Sequence, residues 1–284
     1  MTSLFELITK IVKKKKFILK NHELIEETQA QVSINERAFL FGDGIFETIK
    51  IFNSKIYDYK AHESRINYGF KTLKFSADIS KLEKNSQKLI EKNQITNGIL
   101  RISISRGIGS AGYLPTYESQ SLIIVQTFEE RSRPKKVTLG ISAQKTPIKS
   151  LGKTMNALPY ILAKIEAVEK KLFDCVMFSE NKKIGETSSA NIFWVKNGKI
   201  FTSSKACGIL AGTIRNKLLK ISPLKISEVE SSISALKNAD EIFLTNSAFL
   251  VLPVDEFLNK KLHKNFGNEF LKLLQEDVKK SCKN

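Results

Sequence analysis

Residues 129–137, EERSRPKKV, hold six charged side chains, a proline and a single apolar residue, so this stretch has nothing to bury and interrupts the chain. On both sides of it the spacing of apolar residues switches between every second position and every third or fourth, the periods of strand and helix. A chain patterned in this way does not close as a pure bundle of helices or a pure sandwich of sheets. It is expected to be α/β (α+β), with one mixed domain over residues 17–128, a linker at 129–136 and a second mixed domain over 137–284. Residues 1–16 end in Lys13–Lys16 and carry only about two apolar turns, which reads as a basic N-terminal extension and solvated tail, not a membrane-surface helix.

Within the first domain FILKNHEL (17–24) reads as one strand, and FETIKIFNSKIYDY (46–59) as a hairpin turning at Asn53-Ser54. KAHESRINYGFKTLKF (60–75) has helical period, with Ile66, Phe70 and Leu73 on one face, and KLEKNSQKLIEKNQ (81–94) follows as a second helix. GILRISIS (98–105) alternates as a half-buried strand with Arg101 on its polar side, and SLIIVQTF (121–128) reads as a more fully buried one. The second domain restarts with TLGISAQ as a strand, a long helix, DCVMFS as a strand and a hairpin through Asn197-Gly198. Helices near 213–221 and 229–238, the strand EIFLTN and a C-terminal helix complete it.

No apolar run approaches the ~20 residues that span a bilayer. At the N-terminus the charge follows the apolar part, the reverse of a secretory signal. Cys175, Cys207 and Cys282 show no metal or redox spacing, and three is an odd count for a disulfide framework. A cytoplasmic enzyme without a metal is expected. The formal charge of +17 raises the question of nucleic acid, yet only seven of the 46 basic residues are arginine, the side chain favoured for bidentate phosphate and base recognition. The lysines are also spread along the chain, as compositional bias would leave them. Neither a nucleic-acid nor a membrane partner is expected.

One lysine stands apart by its surroundings. In LGKTMNALPYILAK (151–164), Asn156 reads as a helix N-cap and Pro159 falls in the first turn, where no intrahelical donor is lost. Leu158, Ile161, Leu162, Ile165, Val168 and Leu172 then recur at helical spacing. Lys153 therefore lies in a short loop before a helix, whose positive end disfavours the protonated amine, as partial burial also would. A neutral amine is the form that attacks carbonyl groups. Downstream, IGETSSANIFW (184–194) places the carboxylate of Glu186 before small residues that let a planar ligand lie against backbone. GILAGTIRNKLL (208–219) opens a helix at Gly212-Thr213-Ile214, so free N–H groups and a hydroxyl meet at its positive end, a ready phosphate site. HESR (62–65) puts Arg65 on a helix of the first domain. Amine, carboxylate and phosphate cradle together make an assembly for pyridoxal 5'-phosphate.

FGDGIFETIKIF (41–52), HESR, KTMN (153–156), ETSSANIFW (186–194) and GILAGTIR (208–215) resemble, in order, the class IV aminotransferase group of fold-type IV pyridoxal-phosphate enzymes, over about Phe17 to beyond Val254. The resemblance implies the two-domain D-amino-acid-aminotransferase-like fold, cofactor at the domain interface, a small-molecule amino substrate and a homodimer. It implies Lys153 as the cofactor-bonding lysine, Glu186 opposite the pyridine nitrogen, Arg65 on the phosphate, and Thr213, Ile214 and Ser247 as further cofactor contacts. Thr48 is assigned to proton delivery.

Substrate-side residues separate the activities of this group. SRGIGSAGY (105–113) looks like the loop of aminodeoxychorismate lyase, and the Arg-x-His pair of D-amino-acid transaminases is missing from it. Phe46 replaces the tyrosine of those enzymes, and TNSAFLVLPV (245–254) again resembles the lyase. Some lyases carry an arginine where Ala111 stands, so Arg106 and Tyr113 are assigned to the substrate carboxylates. The expected reaction is conversion of 4-amino-4-deoxychorismate to 4-aminobenzoate and pyruvate in folate synthesis. A transaminase of D- or branched-chain amino acids is the alternative, and a basic binding protein on a lapsed enzyme scaffold a third reading.

Overall fold

The computed structural model describes residues 15–110, 112–116 and 120–283, so the basic extension up to residue 14, and Ala111, lie outside the described residues. Strands β1 (Phe17–Lys20), β2 (Glu23–Glu26), β3 (Gly44–Phe52), β4 (Lys55–Ile56), β5 (Gly98–Ser105) and β6 (Leu122–Glu129) form one sheet in the order β2-β1-β6-β5-β3-β4. All its pairings are antiparallel. After the short helix α1 (Arg37–Phe41), helices α2 (Tyr59–Leu73) and α3 (Leu82–Asn93) cover one face. Ile49, Ile51, Ile66, Leu82, Leu89, Leu100 and Ile102 make a dry core between helices and sheet. Asn53 and Ser54 both take positive φ, 48° and 58°, the conformation that matches a two-residue turn to the twist of β3 and β4.

Two expectations for this half change. FILKNHEL is a hairpin, because Asn21 (φ 48°) and His22 (φ 72°) turn the chain left-handed and Phe17–Lys20 pairs back on Glu23–Glu26. A two-residue turn built from polar residues is indistinguishable, in an alternating pattern, from the wet side of one strand. β6 alternates between buried and half-buried residues, since helices cover only one face of its sheet.

In the second half β7 (Thr138–Lys145), α4 (Leu158–Glu169) and β8 (Asp174–Phe178) form a parallel β-α-β unit, with β9 (Ile184–Thr187) antiparallel to β8. A second group comprises β10 (Asn191–Lys196), β11 (Lys199–Ser203), α5 (Thr213–Ile221), β12 (Ile226–Val229), α6 (Ile233–Lys237), β13 (Glu241–Asn246) and β14 (Leu250–Pro253). Short strands β15 (Glu256–Phe257) and β16 (Lys260–Lys261) return to β7, and α7 (Asn265–Ser281) closes the chain. The resulting sheets run β16-β15-β7-β8-β9 and β12-β11-β10-β13-β14. The helix expected near 229–238 shrinks to α6, because Ile226–Val229 pairs parallel with β11.

Helix α4 departs further from expectation. It begins one residue later, with Ala157 and not Asn156 at the N-cap and no side-chain cap. The residues it buries are Ala163 and Ala167. Leu158, Ile161, Ile165 and Val168 are 48–65% exposed. Helical period correctly indicated an apolar stripe, but the small alanines let the helix sit close on β7 and β8, leaving the large residues outside.

The two halves are tied together at several points. Tyr57 donates to Asp277 at 2.5 Å, and Lys217 bridges Asp58 and Asp277 at 3.1 and 3.0 Å. From the linker, Arg133 donates to the carbonyls of Phe249 and Val251, while Lys50 of β3 reaches Glu130 at 2.8 Å and the Ala248 carbonyl at 3.3 Å. The turn between β13 and β14 is thereby held against β3.

Candidate active site

The site lies where β3 meets the loop between β7 and α4. The Phe46 N–H donates to the Lys153 carbonyl at 2.8 Å and the Met155 N–H to the Gly44 carbonyl at 2.9 Å, so residues 153–155 run as a short strand along β3. Gly44 has no room for a side chain: a Cβ there would meet the Ile104 carbonyl at 2.7 Å. This pairing sets the Lys153 Nζ 4.4 Å from the centroid of the Phe46 ring. The amine is pushed down from 10.5 to about 8, first by burial and then by the positive charge of Arg65, with Arg101 adding to it and Glu47 and Glu186 opposing. Burial, expected from the sequence to act alongside a helix end, thus lowers it together with neighbouring cations.

Glu47 was not anticipated. It occupies an inward position of β3 between Ile45 and Ile49, and is 2% exposed. Arg65 grips it with Nε at 2.7 Å and Nη2 at 2.6 Å, and His62 Nδ1 adds a third contact at 2.7 Å. Burial alone raises a carboxyl pKa, but the charge and hydrogen bonds of Arg65, with those of His62, hold Glu47 at about 2. His62 and Arg65 are three apart, hence on one face of α2. Arg65 also donates to the Ala211 carbonyl at 3.3 Å, leaving two of its five N–H groups uncommitted among the described residues.

Those free donors stand beside the start of α5. Gly212 is its N-cap and the first backbone bond of the helix runs from Asn216 to Gly212, so the N–H groups of Thr213 and Ile214 precede it. The Thr213 hydroxyl lies 3.2 Å from that of Ser247 and 3.4 Å from His62 Nε2. Thr213, Ile214 and Ser247 are all buried. The structure therefore brings Arg65, Thr213, Ile214 and Ser247 to one cradle with the donor chemistry a phosphate needs.

Glu186, on β9, is 4% exposed. It accepts from the Tyr160 hydroxyl and the Leu210 N–H on Oε1, both at 3.0 Å, and from Asn191 Nδ2 on Oε2 at 2.9 Å. Burial pushes its pKa up to about 7, against the opposing pull of the Leu210 and Tyr160 hydrogen bonds and of the charges on Lys153 and Arg215. The lysine, the carboxylate and the cradle have the donor set that pyridoxal phosphate requires, and one acceptor position on Glu186 Oε2 is left for a ring N–H.

On the open side, Thr48 shares the strand face of Phe46, and its cross-strand partner is Arg101. The Arg101 guanidinium carbon lies 4.6 Å from the Phe46 centroid. Arg101 thus stands with Lys153 against one ring. Its position opposite Thr48 was the available signal, but it depends on knowing the register of β5. Arg106 goes elsewhere: it pairs in bidentate fashion with Asp43 at 2.7 and 3.0 Å and donates to the Leu73 and Lys74 carbonyls at the end of α2. Tyr113 is 87% exposed; its carbonyl and that of Gly112 accept from Arg37, which also binds Asp43. The Asp43 carboxylate joins Arg37 and Arg106, and Arg37 in turn holds the carbonyls of Gly112 and Tyr113.

A sequence model of the amino-transferase class IV family matches residues 44–257. The chain is 28% identical to a D-alanine aminotransferase of Staphylococcus aureus, over 93% of this chain and 96% of that protein. It superposes with TM-score 0.80 on the 4-amino-4-deoxychorismate lyase of Pseudomonas aeruginosa, 22% identical, covering 92% and 99% of the two chains. With TM-score 0.85 and 22% identity it matches the branched-chain amino acid aminotransferase of T.th., complexed with N-(5'-phosphopyridoxyl)-L-glutamate, covering 94% and 95%.

Two outcomes are expected from the charges of the site. The depressed pKa of Glu47 gives stability that is fully present above the ordinary carboxylate range, near 4.5, and is lost as pH falls toward about 2. That contribution is about 3 kcal/mol, so denaturant titration of Glu47→Gln against the parent between pH 2 and 6 will show curves that diverge as pH rises. Second, capture of a small aldehyde by Lys153, trapped with borohydride and mapped by mass spectrometry, will rise through pH about 8, well before that of the surface lysines.

Proposed function

The chain belongs to the class IV amino-transferase family, whose members depend on pyridoxal phosphate, and from that premise we propose that it is a lyase splitting 4-amino-4-deoxychorismate into 4-aminobenzoate and pyruvate. The observation that carries this reading is the pair Arg101 and Lys153 against Phe46, with a 105–113 loop that offers no Arg-x-His trap for a single carboxylate. Arg101 supplies the cationic anchor for a substrate carboxylate that Arg106, committed to Asp43, does not, at the same ring as the amine.

When bound, pyridoxal phosphate supplies an electron sink for a carbon bearing nitrogen. Arg65, Thr213, Ile214 and Ser247 would hold its phosphate, and Glu186 Oε2 would accept from its protonated ring nitrogen. Lys153 takes the proton from the substrate carbon that bears nitrogen. The enolpyruvyl ether bond then breaks, the carbocycle becomes aromatic, and the departing enolpyruvate gains a proton to become pyruvate, so no atom or electron is left over. Thr48, on the same strand face as Phe46, is assigned on this reading to assist that delivery.

Residues 17–128 and 137–284 act, on this reading, as two domains closing on the cofactor. The exposed apolar stripe of α4 supports a homodimer with that helix in the interface. Among the described residues no helix is long and apolar enough to cross a membrane, and three buried free thiols accord with a cytoplasmic location.

A second reading, transamination, is favoured by the full-length likeness to D-alanine aminotransferase. The purified holoenzyme, given aminodeoxychorismate and no keto acid acceptor, is expected to release pyruvate over many turnovers, and Lys153→Ala to release it about 10²–10⁴-fold more slowly. A parent enzyme that releases none, yet moves an amino group from D-alanine to a keto acid, would establish the second reading. For the dimer, Ile165→Glu is expected to halve the mass measured by light scattering, since a carboxylate buried at an interface is strongly unfavourable.

A further inference from the structure

Glu186 is held by three donors of different origin. Asn191 belongs to β10, and its Nδ2 also donates to the Leu210 carbonyl at 2.8 Å. The Leu210 N–H comes from the loop before α5. These two form part of one bonded frame with the carboxylate. The third donor, Tyr160, comes from α4, in the first turn after the loop that carries Lys153. Pro159, at the first positions of that helix, fixes the backbone angle at which Tyr160 leaves it. The helix that follows the amine therefore reaches across to the acid on β9.

The counting of lone pairs gives Tyr160 a specific task. An ionised carboxylate offers about four acceptor positions. Oε1 has two filled, by Tyr160 and Leu210, and Oε2 has one filled by Asn191. The remaining position, on Oε2, is the one a ring N–H needs. Without the Tyr160 hydroxyl, Oε1 regains an open position, the buried anion loses one of three stabilising contacts, and the carboxyl group binds a proton more readily. Burial first, then the charge of Glu186, pushes the Tyr160 phenol upward, so it remains a donor across the working range.

We propose that Tyr160 is a positioning residue for the reaction: its hydroxyl keeps Glu186 ionised and turned so that Oε2 faces the ring nitrogen of the cofactor. This rests on the assignment of Glu186 to that nitrogen. It also couples the two ends of the site, since a shift of α4 moves the loop of Lys153 and the hydroxyl on Glu186 together.

The test uses Tyr160→Phe, which keeps the ring and removes only the hydroxyl, loaded with pyridoxal phosphate labelled with 15N in the ring. The readout is the 15N chemical shift from pH 6 to 9, with Glu186→Gln measured alongside. In the parent the nitrogen is expected to be protonated over this range. In Tyr160→Phe the shift is expected to move toward the unprotonated value, the shared proton passing to Glu186, while kcat falls about tenfold and KM for the amino substrate holds. In Glu186→Gln the unprotonated value is expected throughout. A Tyr160→Phe spectrum identical to the parent, with Glu186→Gln unprotonated, would overturn the role of Tyr160 and leave that of Glu186 standing. A protonated nitrogen in Glu186→Gln would overturn the assignment of Glu186 itself. A kcat loss in Tyr160→Phe without any change of chemical shift would show a packing role only and also overturn the proposal.

Discussion

The buried ion cluster of Glu47, Arg65 and His62 is the interaction on which the arrangement of the site depends. A carboxylate placed among isoleucines on a sheet face is costly unless fully paired. Pairing it requires two side chains from one face of α2, so the helix is fixed on β3 in both rotation and height. The same guanidinium then has N–H groups left over, one of which takes the Ala211 carbonyl. His62 turns its other nitrogen toward Thr213. A charge buried in the first half of the chain thus positions the start of a helix in the second half, and the donors proposed for a phosphate are assembled across the boundary between them.

That dependence explains which parts of the site were legible in the sequence. Lys153, Glu186 and the Gly212-Thr213-Ile214 helix start are each announced by local pattern: a loop before a helix, a carboxylate before small residues, free donors at a positive helix end. Their meeting in one place could be anticipated from their order. Glu47 carried a signal that went unused, since alternation puts it in phase with Ile45, Ile49 and Ile51, but the partners that make a buried carboxylate tolerable there lie on α2 and are not given by the strand's own pattern. Arg101 and Arg106 show the same limit in opposite directions. Both are arginines of β5 or its end, yet one faces the Lys153 amine and the other is consumed by Asp43, a difference set by register and by a contact 63 residues away in the chain.

The fold was legible to a similar depth. Runs with a sustained period gave their elements nearly to the residue, as for β5 at Gly98–Ser105 and β13 at Glu241–Asn246. Short elements such as β12 were missed because four residues are too few to establish a period. Helix α4 shows what periodicity cannot supply at any length. It reports that one side is apolar, whereas which side packs inward depends on steric fit, and here Ala163 and Ala167 win because β7 and β8 approach closely.

The chain carries 46 lysines and arginines, and composition alone would make any one lysine unremarkable. What distinguishes Lys153 is the balance of charge around a half-buried amine. Its amine is near Arg65 and Arg101, which favour the neutral form, and near Glu47 and Glu186, which favour the ion. Glu47, although committed to Arg65 and His62, is still the stronger of the two opposing charges. Glu186 is held near 7 by burial, so its own charge at the amine is only partly developed. Burial acts most strongly, and the cations add to it against the opposition of Glu47 and Glu186. A lysine on the surface experiences the same net charge through water, where opposing fields are screened to little effect. Activation of this amine thus follows from the pairing of β3 with residues 153–155, because that backbone contact sets the half-buried side chain against the Phe46 ring and among the four charges.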